Sequence, residues 1–330
     1  MSILNQFGRL NKLLIVLLLV QFALGAIIFW PRTAASEAGG PLLAGVKAED
    51  VAALVIRAGD GSQLAMARQD DTWILPEAGD YPANEESVAA LLEKIEALQT
   101  NRLVTRTEAS HERLQVGEDD FNRRLELTLT DGSSHKLLVG SSAGASATHV
   151  RAGDQPEVYL TGELTPWEIN AQPSGWIDTL YFTLPQNATT ALTLENANGT
   201  VEFTRSGDSW RLADLASDES LNPSAVTAWL GQVSSIQMVE PIGTEAPAAS
   251  GLENPLARLI LQTENETYLL KVGRQDSADG SYVFSASNSP YFVRVAQFTG
   301  DHLVNKSRDD FLVAPPAPET DESDTPTSSQ

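Results

Sequence analysis

An α+β fold is the class this sequence predicts: an N-terminal transmembrane helix followed by two tandem repeats, each an antiparallel sheet with one main packed helix. Three observations predict it. Ala53-Leu54-Val55-Ile56, the turn Asp60-Gly61 and Trp73-Ile74-Leu75 recur as Ala191-Leu192-Thr193-Leu194, Asn198-Gly199 and Trp210-Arg211-Leu212. A capped helix pattern follows each Trp, and Val88 and Val226 stand at the same separation as Gly61 and Gly199. Ahead of both copies runs LLIVLLLVQFALGAIIFW, Leu13 to Trp30, without a charge and with Gln21 as its polar residue.

At 1.5 Å per residue that run is close to the shortest helix that spans a hydrocarbon core of about 30 Å. Arg9 and Lys12 precede it and Trp30 ends it, as expected for a cytoplasmic N-terminus and an interfacial aromatic. Residues 1–12 are then cytoplasmic, 13–30 the membrane helix, and everything from Pro31 outside. Gly25 and Ala26 would let the anchor approach a neighbouring membrane helix closely. A cleaved signal peptide is the competing reading, with Thr33-Ala34-Ala35 as its small-residue site. Under both, the globular part is extracytoplasmic.

Residues 31–49 are rich in Ala, Gly and Pro and are expected to form a linker. The first repeat, residues 50–184, opens with alternating apolar residues, a tight Asp60-Gly61 turn and a returning strand near Leu64–Ala67, which together make a hairpin. Trp73 lies on a third strand. Asn84 then caps a helix with Glu85 and Glu86 in its first turn, and Val88, Leu91, Leu92, Ile95 and Leu98 form one apolar stripe. Leu125–Leu129 alternates, turns at Asp131-Gly132 and returns through Lys136–Val139.

The second repeat, residues 185–313, follows the same plan. Asn222 caps, Pro223 takes the first helical position, and Val226, Trp229, Leu230, Val233 and Ile236 make the stripe. Arg258–Leu261 and Tyr268–Val272 form the next strands, closed by Val272-Gly273 as Val139-Gly140 closes the first set. Val158-Tyr159-Leu160 matches Phe292-Val293-Arg294. Residues 314–330, rich in Pro, Ser, Thr and acid, lack apolar periodicity and are expected to be disordered.

The formal net charge of −22 repels phosphate backbones, which argues against nucleic acid as a partner. The absence of cysteine rules out disulfides, thiolate chemistry and Cys-ligated zinc.

Three segments resemble the envelope family labelled domain of unknown function 4340. They are ALVIRAGDGSQLAMARQDDTWIL, the Tyr81-Pro82-Ala83 entry to the helix with Leu103-Val104 after it, and LQVGEDD at 114–120, with Gly251-Leu252-Glu253-Asn254-Pro255 as the counterpart of the last. The resemblance implies anchoring by one N-terminal helix and a place beside ABC transporter components similar to those of the gliding-motility type. It carries over no catalytic residues.

The chemical motifs read as architecture. Gly140-Ser141-Ser142-Ala143-Gly144 matches the G-x-S-x-G nucleophile elbow, but the residues after it do not read as the helix that the elbow requires. His111, His135, His149 and His302 make no i, i+4 pair, so solvated or hydrogen-bonded surface roles are expected of them. Asp276-Ser277-Ala278-Asp279-Gly280 lacks the twelfth-position Glu of a calcium loop and reads as a turn. No catalytic residue, metal or cofactor is expected.

Trp167, Trp176, Tyr181 and Phe182 cluster where the copies join and are either inter-repeat packing or a partner-binding patch. The expectation is therefore a non-enzymatic, single-pass protein of the bacterial inner membrane with its bulk in the periplasm. It would serve as an accessory or substrate-engaging part of an ABC-type transporter or envelope complex, with permease and ATPase subunits as partners. A free-standing scaffold or adhesion module is the alternative, and a serine hydrolase using Ser142 a remote one.

Overall fold

The computed structural model describes residues 39–144 and 146–314. The expected anchor at 13–30, with Gly25 and Ala26, the first part of the 31–49 linker and the tail beyond Ala314 lie outside the described residues. Among the described residues no helix is long and apolar enough to cross a membrane.

The first unit runs β1 (Val51–Ala58), β2 (Gln63–Gln69), β3 (Thr72–Leu75), β4 (Tyr81–Pro82), α1 (Glu85–Glu96), β5 (Leu103–Thr105), β6 (Arg123–Leu129), β7 (Ser134–Ser142), β8 (Thr148–Ala152) and β9 (Val158–Thr161). The second has β10 (Leu180–Thr183), β11 (Ala191–Asn196), β12 (Gly199–Ser206), β13 (Ser209–Leu212), α2 (Pro223–Val233), β14 (Ser235–Gly243), β15 (Ala257–Gln262), β16 (Thr267–Gln275), β17 (Tyr282–Ala286), β18 (Phe292–Val295) and α3 (Gln297–Val304).

Each unit is a nine-stranded sheet whose named strand pairs are antiparallel. The first has the order β4-β3-β2-β1-β6-β7-β8-β9-β5, and the second, read from its far end, β13-β12-β11-β15-β16-β17-β18-β14-β10. Eight strands of each correspond one to one, so the duplication extends to the order of those eight. The ninth strands differ: β4 extends the β3 end of the first sheet, while β10 extends the β14 end of the second. Leu180–Thr183, before the 184/185 boundary expected from sequence, thus belongs by hydrogen bonding to the second sheet.

Both helices start as their sequences dictate. Asn84 Oδ1 accepts from the Ser87 N–H at 2.9 Å and Asn222 Oδ1 from that of Ala225 at 3.2 Å, satisfying N–H groups that a helix start leaves without partners. The predicted stripes are the buried faces: Val88, Leu91, Leu92 and Ile95 in α1, and Val226, Trp229, Leu230 and Val233 in α2. Asn84→Ala and Asn222→Ala should each cost about 1 kcal/mol, read as a lower urea midpoint with unchanged slope.

Beyond the last strand, each unit places an aromatic residue over its helix start. The Asn84 N–H donates to the Trp176 carbonyl at 2.6 Å and the Asn222 N–H to that of Phe311 at 2.8 Å. Trp176 and Phe311 are both buried, Phe311 edge-on to Trp229 with ring centroids 5.2 Å apart. Capped 3-10 turns lead up to them, with the boxes Thr165/Glu168 and Ser307/Asp310. The second unit adds α3, packed on α2 and on β11, β15 and β16.

The expected linker at 31–49 is corrected over its last residues. Leu42, Leu43 and Val46 are buried in the first unit's core, and the Leu42 N–H donates to the Leu98 carbonyl at 2.8 Å. These three apolar side chains lose more by solvation than the chain gains in freedom by staying loose. The segment is a strap over the end of α1.

The second unit's closure carries a pH-dependent contact. Arg308 makes two hydrogen bonds to the Glu219 carboxylate, which also accepts from the Ala216 N–H at 2.9 Å. These interactions, that from Arg308 foremost, pull the Glu219 pKa from 4.5 to about 2. A carboxyl depressed in the folded state stabilises fully above its ordinary value and loses that contribution as pH falls toward the depressed one. Acid titration of tryptophan emission, through Trp229 beside Phe311, should show a component between about 4.5 and 2 that Glu219→Gln removes.

Candidate docking surface

The structure separates the four junction aromatics. Trp176 and Phe182 are buried and Tyr181 is half-buried, whereas Trp167 is 78% exposed. The Trp176 indole N–H donates to the Asn170 carbonyl at 2.7 Å, and Phe182 stands edge-on to Tyr268 with centroids 5.6 Å apart. The Tyr181 hydroxyl donates to the Tyr291 carbonyl at 2.6 Å and accepts from the Ala286 N–H at 3.0 Å, and burial raises its pKa. Trp176 and Phe182 thus spend their surface inside the chain, Tyr181 commits its hydroxyl there, and of the four Trp167 is the most exposed. Its neighbours in the turn account for that position: Pro166 is buried, and Glu168 is held by the box to Thr165 and by an ion pair with Lys94.

The units meet through opposite ends of their matching sheets. The turn Pro76–Ala78, between β3 and β4, and Pro173–Gly175 pack on β14. Gly79, at φ +69°, lies so close to Gly243 that a Cβ on it would come within 2.9 Å of the Gly243 Cα. Tyr81 sits edge-on to Tyr291 with centroids 4.7 Å apart, and the Tyr291 hydroxyl donates to the Asp80 carbonyl at 3.3 Å. Burial first, and then the Asp178 charge, raise the Tyr81 pKa.

A cleft of about 440 Å³ opens at this junction, with Gln63, Glu77, Gln172, Glu240 and Arg294 in its wall. Arg294 contacts Glu240 and Asp276, each at 3.1 Å, so its charge is neutralised within the protein. With Glu77 added, the wall is acidic and unsuited to an anion. The same ion pair occupies Asp276, and the 276–280 segment is a turn in which the Asp276 carboxylate accepts from the Ala278 N–H at 2.9 Å.

The serine motif is an ordinary strand end. Ser142 is exposed at the end of β7 and pairs with Thr148 on β8, the next strand. Ser141 Oγ lies 3.2 Å from His149 Nδ1, but that nitrogen is 2.8 Å from the Ser141 carbonyl, to which it must donate. A protonated Nδ1 cannot take the serine proton, so the pair is not a nucleophile and its base. His111 is likewise bonded to the Pro156 carbonyl, at 2.8 Å. The surface role expected of His111 and His149 is corrected: both are buried between loop and strand. Among the described residues no group of His, Asp and Glu could hold a metal ion.

Two features escape sequence reading. Arg151 on β8 is 4% exposed and donates to the carbonyls of Val116 (2.8 Å), Gln155 (3.0 Å) and Gly153 (3.2 Å) and to Glu118 (2.9 Å). Leu103 and Val104 on β5, the terminal strand of the first sheet, are each 40% exposed. An unbroken Leu-Val-Thr run reads as buried strand, and only its place at the sheet's end exposes both faces.

The model of the family described as Domain of unknown function (DUF4340) matches residues 73–255, from Trp73 on β3 to Pro255 just before β15. The matched stretch contains the first unit's side of the junction from Trp73 onward and β14, but not Tyr291 or Arg294. No curated protein and no solved structure matches the chain.

Proposed function

Because the chain belongs to the DUF4340 family, we propose that it is a non-enzymatic, single-pass membrane protein whose duplicated extracytoplasmic module serves an ABC-type transporter or envelope complex as an accessory or substrate-engaging subunit. The observation that carries this reading is the duplication itself. Two units of one topology are locked end to end, with the Tyr291 hydroxyl of the second bonded to the Asp80 carbonyl of the first and Arg294 paired with Glu240 beside it. Such a body offers surfaces to other proteins, and Trp167 is a large aromatic of the kind that anchors interfaces. The apolar run from Leu13 to Trp30 supports attachment to the membrane on the N-terminal side. ATP hydrolysis belongs, on this reading, to a separate subunit.

Affinity purification of the tagged full-length chain from its native membrane in mild detergent, with mass spectrometry of what it retains, tests the proposal. Recovery of a permease and its ATPase in fixed ratio is the expected result. A chain recovered alone, even after crosslinking, sinks it. The uncovered β5 edge also suits a free-standing scaffold, which would work with its anchor replaced by any spanning helix, whereas a transporter subunit would not.

A further inference from the structure

We propose that this chain binds a second copy of itself head to tail, the β13–α2 connection of one chain docking on the β5 edge of the next. This goes beyond the transporter reading and does not depend on it.

The junction within the chain supplies the template. It is heterologous: the β3–β4 end of the first unit covers the β14 end of the second, and these are different places on two bodies of one topology. Each unit therefore retains one end whose counterpart is covered in the other. In the first unit it is β5, and in the second the connection from β13 to α2.

Strand register makes the correspondence residue by residue. On β9, Tyr159 pairs with Leu103 and Val158 with Thr105; on β18, Val293 pairs with Pro241 and Phe292 with Gly243. Val158 and Tyr159 correspond to Phe292 and Val293, so Leu103, Val104 and Thr105 occupy the places of Pro241, Ile242 and Gly243. Pro241 and Gly243 are buried and Ile242 half-buried at the junction, while Leu103 and Val104 stand in solvent. The surface that the second unit covers with the first is thus bare in the first unit.

The other free end suits it. Ala213–Leu221 takes the place of the Pro76–Ala83 segment and exposes Leu215 at 39%. Exposed Asp214 and Asp218 flank that leucine, and exposed Arg102 and Arg106 flank Leu103 and Val104. Among the described residues, Arg102, Asp214 and Asp218 form no salt bridge, while Arg106 has Glu157 at 3.6 Å and Glu219 is taken by Arg308. Apolar centres ringed by opposite charges are complementary, and opposite charges favour this register over a like-to-like one. Ala213–Leu221 has no glycine to make the close backbone approach that Gly79 makes, so the contact between chains runs through side chains. A heterologous contact that does not close into a ring grows as an open chain.

The cysteine-free sequence allows a direct test. Val104→Cys and Leu215→Cys are introduced together into the full-length chain, oxidised in its own membrane and run without reductant. A ladder of dimers, trimers and higher species is expected from the double variant, and monomer from each single variant. Adding Arg102→Glu and Arg106→Glu should weaken the ladder about tenfold, and Asp214→Arg with Asp218→Arg should restore it. Circular dichroism of the reduced variants, unchanged from the parent, keeps a folding failure apart from a lost contact. Monomer alone from a folded double variant overturns the proposal, and so do dimers formed by Val104→Cys by itself, which would put β5 against β5.

Discussion

Gly140→Ala should destabilise the first unit by about 2–4 kcal/mol, and Gly273→Ala the second by a similar amount. A Cβ on Gly140 would fall well inside 3.0 Å of the Leu114 carbonyl oxygen, and one on Gly273 well inside 3.0 Å of that of Ser250. Both carbonyls are held in place: the Ser141 N–H donates to Leu114 O at 2.9 Å and the Arg274 N–H to Ser250 O at 2.7 Å. The next residue in each loop, Gln115 at φ +55° and Gly251 at +75°, turns the chain back over the sheet. Relief of the clash means lifting the whole loop, and in the first unit this uncovers the small core of Leu114, Val116, Leu138 and Val158. Gly132→Ala is the control, since its Cβ meets open space and the cost is the strain of φ +86°, about 1 kcal/mol. Urea unfolding of the three variants decides the matter: if Gly140→Ala costs no more than Gly132→Ala, the loop contact is not what requires glycine.

Arg151→Met is the second change expected to matter greatly, by about 3–5 kcal/mol. The arginine is almost wholly buried, and its guanidinium serves three carbonyls and one carboxylate within 3.2 Å. Methionine fills part of the volume but leaves those carbonyls buried without donors. Lysine should not rescue, because one ammonium cannot reach acceptors spread around a planar fork. Glu118 can lose its charge at smaller cost, being half-exposed, so Glu118→Gln should fall well short of Arg151→Met in the same unfolding experiment. The hydrogen bond from Lys136, and then that from Arg151, holds the Glu118 pKa below its ordinary value, so the network is complete at neutral pH and is lost only as acid passes that lowered value. In the second unit Ser285 pairs with Lys271 as Arg151 pairs with Leu138, so this clamp belongs to the first copy alone.

The legible parts of this molecule were those encoded over short spans. The Asn84 and Asn222 caps, the apolar stripes behind them and the Asp60-Gly61, Asp131-Gly132 and Asn198-Gly199 turns lie within a few residues of the groups they act on. The pairing of Leu114–Asp120 with Gly251–Pro255 was visible because both loops serve a glycine at the same point of the same strand. The junction was harder to read. Trp167 and Trp176 are the same residue type nine positions apart, yet one is exposed and the other fills the space over the start of α1. The turn's own box holds Trp167 outside, but the contact that seats Trp176 is with Asn84, at a helix start about ninety residues earlier in the chain.

By itself the sequence determined that the chain is built twice, where its helices begin, which faces they bury and which turns reverse its strands. Those properties follow from backbone sterics and apolar spacing, which act between neighbours in the chain. Tertiary structure alone decided that residues 41–46 strap the first core, that β10 joins the second sheet, that Arg151 is buried among carbonyls and that the copies dock by unlike ends. Each of these depends on groups tens of residues apart meeting at a distance of a few ångströms. Such meetings are set by the shape of surfaces that exist only once both sheets have formed.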